Sequence, residues 1–203
     1  MQPDIPVSLD EMSKEEFDSK MSRGLKQAES GDGMSADAFF DSLKKEISGV
    51  AHKTFHSLND DIIRLRTEVF VNEQGFHNEF DETDNNCVHI VLYEGGRAVA
   101  VCRYFSEGGA YHIGRVAVAK EYRGKNYGIG IMQAAEQEIA ADFAKISDKS
   151  AGQKLIIELS AQCRVRKFYE KQGYVPCGDI FYDEYCTHIK MRKEIFRLTN
   201  HNR

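Results

Sequence analysis

The chain has 203 residues, 41% hydrophobic and 29% charged, a composition that suits one large domain, or one domain with a small appendage, rather than a disordered chain. No apolar run nears the roughly 18 residues of a membrane helix. The acidic start lacks the apolar stretch of a secretory signal, so the cytoplasm is the expected location. The formal net charge of −5 lies wholly in residues 1–50, which hold eleven acids and six bases. Residues 51–203 hold 21 of each, without the basic stripe that a nucleic-acid binder needs.

The first fifty residues read as a helical hairpin. Ser13-Lys14-Glu15-Glu16 is a capping-box pattern, and Phe17, Met21 and Leu25 recur at helical spacing to about Glu29. After Gly31-Asp32-Gly33, Ser35 caps a second helix with Phe39, Phe40, Leu43 and Ile47 on one side. Each helix has one apolar stripe and must bury it against the other, the rest of the chain or a partner.

From about Val50 strands and helices alternate. A strand is expected over Lys53–Leu58, then a helix from Asp60-Asp61 through Ile62, Leu65, Val69 and Phe70. Cys87–Glu94 and Arg97–Phe105 form a hairpin about Gly95-Gly96, and Tyr111–Ala119 follows the Gly108-Gly109 turn. A loop over Lys120–Tyr127 leads into a helix over about Gly128–Ile146, with Ile129, Met132, Ala135, Ile139 and Phe143 as its apolar face. Lys154–Leu159 is a short buried strand, Val165–Gln172 is helical, and Tyr174–Glu184 and Tyr185–Ile195 are the last strands. The order predicts one mixed α/β domain over residues 51–203 behind a helical extension over 1–50.

The five cysteines, Cys87, Cys102, Cys163, Cys177 and Cys186, contain no C-x-x-C, and their spacing fits neither a zinc site nor a disulfide framework. Reduced thiols are expected, and no metal-ligand cluster is legible among the histidines and acids.

The strongest chemical signal runs from Arg115 to Met132. A β-rich strand feeds a loop with Arg123, Gly124, Lys125 and Gly128, which opens an amphipathic helix. The first amides of a helix lack internal partners and carry its positive dipole end, so this is an anion site in waiting. Arg123 and Lys125 would add charge at its rim. Neither a Walker A string nor G-x-G-x-x-G is present.

Arg123-Gly-Lys-Asn-Tyr-Gly128 after a V-x-V strand resembles the coenzyme A loop of the GNAT (GCN5-related N-acetyltransferase) superfamily, whose pattern is [QR]-x-x-G-x-[GA]. Asn126 stands where the middle glycine is usual, and asparagine tolerates a left-handed backbone. Two further stretches fit in order. Leu155–Gln162 followed by Phe168-Tyr-Glu-Lys-Gln-Gly-Tyr174 resembles the fifth strand and the following helix of that superfamily. Leu65–Gly75 with Asp84 and His89, and the late Tyr185–Met191, resemble its ElaA-like and YjcF-like branch. The first helices are faintly similar to the partner-binding tail of ParD- or RelB-type antitoxins.

This resemblance implies an acyl-CoA N-acyltransferase fold: a mixed, mostly antiparallel sheet flanked by helices. It implies transfer of an acetyl group from acetyl-CoA directly to the amine of a small molecule or peptide, with no covalent enzyme intermediate. Val116, Ala117 and Val118 would lie along pantetheine, and the amides of Arg123, Gly124, Lys125, Asn126, Tyr127, Gly128 and Ile129 would hold the pyrophosphate. Tyr169 matches the position of the acid that protonates the leaving thiolate. Glu73, at a helix end before a glycine turn, and His188, in an alternating strand, are candidates for the base or for positioning the acceptor; His89 reads as structural. The alternative is a coenzyme A-binding module whose main role is to bind a protein partner, or a second copy, through residues 1–50.

Overall fold

The computed structural model describes residues 50–146 and 154–196. The N-terminal hairpin, and with it the antitoxin-like resemblance, lies outside the described residues.

Seven strands form one sheet: β1 (Val50–Phe55), β2 (Val88–Glu94), β3 (Arg97–Glu107), β4 (Ala110–Val118), β5 (Lys154–Gln162), β6 (Val175–Asp183) and β7 (Cys186–Phe196). Their spatial order is β1-β2-β3-β4-β5-β7-β6. Neighbours are antiparallel except β4 and β5, which run parallel. The first strand starts and ends three residues before the predicted span, because Ser57 and Leu58 lead into the cap of the next helix. There the Asn59 side chain accepts from the Ile62 amide at 2.9 Å.

Helix α1 (Asp60–Arg66) continues as π-helical turns over Thr67–Glu73, three residues beyond the predicted end at Phe70. It lays Ile62, Leu65, Val69 and Phe70 on Val91, Val101 and Ala117 of one sheet face. Helix α2 (Tyr127–Ile146) covers the opposite face through Ile131, Met132, Ala135 and Ile139. Ile129, predicted on that buried stripe, is only partly buried. The predicted helix over Val165–Gln172 divides into a 3-10 turn, Cys163–Val165, and the short α3 (Arg166–Glu170). All five cysteines are free thiols.

Beside α1 lies a network of charges that hydrophobic patterning does not announce. Arg66, fully buried, donates to Glu79 Oε1 at 2.6 Å, to the Glu79 carbonyl at 2.6 Å and to Asp84 Oδ1 at 2.6 Å. Arg103 on β3 reaches the same Asp84 oxygen at 2.6 Å and grips Asp81 through two bonds of 2.7 Å. Arg115 on β4 adds Asp81 at 3.1 Å and Glu79 at 3.1 Å. Three guanidiniums thus balance three carboxylates, and Asp81 and Asp84 close a capping box on the turn Glu82–Asn85. The resemblance residues Arg66, Asp84 and His89 belong to this scaffold. The hydrogen bonds from Arg103 hold the Asp81 carboxyl well below the usual carboxylate range. Burial pushes Asp84 up, but hydrogen bonds from Arg66, the Asp81 amide and Arg103 outweigh it.

Removing one member of a buried ion cluster leaves the others charged and unpaired. Arg66→Met is therefore expected to lower the unfolding free energy by about 3–5 kcal/mol, read by urea denaturation. The lowered Asp81 and Asp84 carboxyls contribute stability that is complete above their unfolded value of about 3.9 and is lost as pH falls toward their folded values. The melting temperature should drop steeply below about pH 4, and Asp81→Asn should flatten that drop.

Candidate active site

The site begins where two strands stop pairing. Tyr111, His112 and Ile113 of β4 align with Ile157, Glu158 and Leu159 of β5, and pairing ends there. At Arg115 the backbone turns left-handed, with φ 54°, and the register of β4 on β3 shifts between Val101 and Arg103. A non-glycine residue in that conformation is strained unless its surroundings hold it. The Arg115 guanidinium is held by the Glu79 carbonyl at 3.0 Å and by Asp81. The bulge leads β4 away from β5 and opens a cleft of about 970 Å³.

One end of the cleft is the predicted anion loop. Gly124 and Asn126 both adopt left-handed backbone, with φ 76° and 61°. Asn126 therefore supplies the conformation that a glycine would have given. Among the described residues, the amides from Gly124 to Ile129 have no hydrogen-bond partner in the fold; the first helical bond is from the Gly130 amide to the Asn126 carbonyl, at 2.9 Å. Gly128 matters for packing: a Cβ there would sit 3.2 Å from the Phe168 ring. Helix α2 can thus approach α3 closely at the mouth of the loop.

Val116, Ala117, Val118, Arg123, Gly124, Asn126, Gly128 and Ile129 all line the cleft. The side chains of Lys125 and Tyr127 do not. Lys125 lies over the Tyr122 ring at 5.5 Å, and the buried Tyr127 donates its hydroxyl to Glu94. Nor is the Arg123 charge offered to an anion. Its guanidinium makes a two-pronged pair with Glu73 at 2.7 and 2.8 Å and donates to the Val118 carbonyl at 3.0 Å. Arg123 thus ties the loop to the π-helical end of α1, and the loop presents its backbone amides to the cleft.

Tyr169, Glu73 and His188, predicted from three distant stretches, line this one cleft. The Tyr169 ring is buried against Phe168 and Tyr174. Burial pushes its hydroxyl above the usual phenol value, and no described residue accepts from or donates to it. His188 is buried between Phe181, stacked at 5.8 Å, and Phe76, edge-on at 6.4 Å. Its Nδ1 lies 3.1 Å from the Cys186 carbonyl. A carbonyl only accepts, so Nδ1 carries a proton, and in the neutral imidazole Nε2 is the nitrogen with the lone pair. Glu73 is held low by the Arg123 hydrogen bonds.

Other cleft residues escaped the sequence reading. Gln162 donates to Gln74 at 2.8 Å across the gap. The β6–β7 hairpin is strapped to the loop after α1: Glu184 accepts from the His77 and Asn78 amides at 3.0 and 2.9 Å, and Tyr185 donates to the Gln74 carbonyl. Glu158 on β5 is buried and pairs with Arg192. The available signal was an acid inside the apolar run Leu155-Ile-Ile-Glu-Leu159. The fold also gathers Asp84, Cys87 and His89 with ligand atoms within 4.8 Å, a grouping the linear spacing did not show. Asp84 there already accepts from Arg66 and Arg103, and burial pushes the Cys87 thiol up to about 11. This donor set reads as a hydrogen-bonded core adjoining two arginines, poor ground for a cation.

No described helix is long and apolar enough to cross a membrane. The profile of the acetyltransferase (GNAT) domain matches residues 58–195. The uncharacterized N-acetyltransferase YjcF of Bacillus subtilis is 34% identical over 137 residues, 66% of this chain and 91% of its own length. A crystal structure of an acyl-CoA N-acyltransferase from Pseudomonas aeruginosa superposes with a TM-score of 0.59 at 26% identity, covering 71% of this chain and all but 1% of that one (99%). The Escherichia coli ElaA structure shares the fold with the same TM-score, 0.59, at 23% identity, over 71% of this chain and 99% of its own. Family and fold thus support acyl-CoA N-acyltransferase activity with acyl-CoA as co-substrate, and the chain belongs to the GNAT acetyltransferase family.

Proposed function

We propose that this protein transfers an acetyl group from acetyl-CoA directly to the amine of a small molecule or peptide. The observation that carries the reading is a single cleft with unpartnered helix-end amides at one end and an unpartnered, protonated tyrosine in its wall. Those amides suit the pyrophosphate of the coenzyme, and the open edge of β4 at Val116 and Val118 suits the amides of pantetheine. Acetyl is the acyl group in the name of the family and of its YjcF relative.

The chemistry makes two demands. An amine of pKa about 10 is roughly 0.1% neutral at pH 7, a deficit of about 4 kcal/mol. His188 Nε2, with its lone pair, is suited to take one proton from the ammonium. Glu73 is not, because Arg123 stabilises it as a carboxylate. The neutral amine then attacks the thioester carbon; a C–N bond forms and the C–S bond breaks. Tyr169, kept protonated by burial, gives its proton to the departing sulfur. The proton lost by the new amide nitrogen restores Tyr169, so one proton leaves in total. Glu73 becomes a positioning residue that steadies the anion loop through Arg123.

Release of free thiol from acetyl-CoA with a panel of amines tests the activity itself. Tyr169→Phe is expected to lower kcat about 100-fold with little change in coenzyme binding; unchanged turnover removes Tyr169 from the acid role. His188→Gln should slow transfer most at low pH and least at high pH, where the amine is already neutral. Glu73→Gln should raise KM for acetyl-CoA and leave the shape of the pH profile alone. Loss of the acidic limb in Glu73→Gln instead would make Glu73 the base.

A further inference from the structure

We propose that the acceptor is a short-chain amino acid, whose amine meets His188 and whose carboxylate is held by Lys190 and Arg192; this rests on the acyl-transfer reading above. Strand alternation puts His188, Lys190 and Arg192 of β7 on the sheet face that also carries Glu158, Ser160 and Gln162 of β5. That face is where the cleft lies open below α1.

Glu158 organises the cationic end. Its Oε1 accepts from Arg192 Nε at 2.9 Å and Nη2 at 2.5 Å. Its Oε2 lies 3.5 Å from Lys190 Nζ and 3.9 Å from His112 Nδ1. The carboxylate is 8% exposed, whereas the Lys190 side chain is 52% exposed. One buried acid is therefore shared by two permanent cations and an imidazole. A positive charge is left over, and among the described residues the Lys190 ammonium has Glu158 as its one ionic partner. A ligand carboxylate would neutralise the group and accept from the spare donors.

The surroundings place that charge beside the reaction. Ser160, the first β5 residue beyond the parallel register with β4, pairs across the sheet with Lys190. His188 lies two residues along the same strand, about 7 Å away. Both side chains line the same stretch of the cleft. Gly114 of β4 leaves the floor open, since a Cβ there would meet nothing within 4 Å. The cleft continues past His112, Glu158 and Lys190 into a recess of about 360 Å³ that Arg192 and the Gly108-Gly109 turn also line.

The other charges nearby fit the same orientation. Asp183, at the hairpin end beyond His188, lines the cleft and favours the ammonium side. Glu73 and Glu184 are engaged by Arg123 and by the His77 and Asn78 amides. Glu194 pairs with Lys154 at 2.8 Å. Glu107 rims the far recess, exposed to solvent and outside the Glu158 cluster, so its field is screened. Along the β6–β7 hairpin the charge runs from Asp183 at its tip to Lys190 and Arg192, an order that sets a zwitterion's amine toward His188, while Arg164 lies beside Gln162 on the β5 side.

The test uses the full chain, acetyl-CoA and matched acceptors: α-, β- and γ-amino acids against their carboxamides, followed by thiol release. The acids should exceed the amides at least about 10-fold in kcat/KM, as expected for a charge-assisted hydrogen bond. Lys190→Gln should bring that ratio to about one, and Lys190→Arg should restore it. Amides as good as acids, or a ratio unmoved by Lys190→Gln, overturns the proposal. Calorimetry separates it from the reading beneath it. With coenzyme A bound, N-acetylglycine should bind about 10-fold more tightly than N-acetylglycinamide, and Lys190→Gln should abolish the difference. Equal or absent binding overturns the carboxylate site. Discrimination between these products without acetylation of any amine overturns acyl transfer instead.

Discussion

The departure of β4 from β5 is the constraint on which the site depends. Two parallel strands that stayed paired would offer no gap, and their ladder would consume the backbone groups that a thioester arm needs. The strands part because Arg115 occupies a left-handed backbone conformation that a side chain ordinarily avoids. It is held there by Glu79 and Asp81, which are themselves gripped by Arg66 and Arg103. The buried ion network is thus the foundation of the cleft. Its charges are too costly to bury singly, and they persist because each is matched by several hydrogen bonds.

The two sheet faces divide the labour. On one face α2 and α3 meet at Gly128 and Phe168, which sets the loop amides and Tyr169 toward the gap. On the other, α1 packs mainly on β2, β3 and β4. Beyond them the strapped β6–β7 hairpin and the Glu158 cluster set charged groups into a cleft wall that also carries Phe76, Phe105 and Phe181. The Glu73–Arg123 pair joins the faces, since it runs from the end of α1 to the anion loop. A π-helical end is well suited to this, because the widened turn carries Glu73 beyond the line of the regular helix.

Most of the fold could be read from the chain. The glycine pairs at 95–96 and 108–109, the two-residue alternation around them and the helical period after Gly128 gave the elements within a few residues. The anion loop was legible for the same reason: strand, glycine-bearing turn and helix start are adjacent in sequence, so local rules suffice. Even the asparagine exception held, because left-handed backbone is a property of the residue itself.

Partnership was not legible. Arg123 looked like a phosphate ligand and proves to be the partner of a glutamate fifty positions upstream. Glu73, a candidate base by its place in the sequence, is paired with that arginine. Lys125 and Tyr127 belong to the loop by sequence, yet their side chains turn away from the cleft. The sequence alone determined which residue types and turns lie along the chain, because these follow from nearest-neighbour sterics and period. Only the tertiary structure decided which charges are matched and which remain available, because an ion pair is set by distance in space, and a pair fifty residues apart in sequence leaves no trace in local spacing.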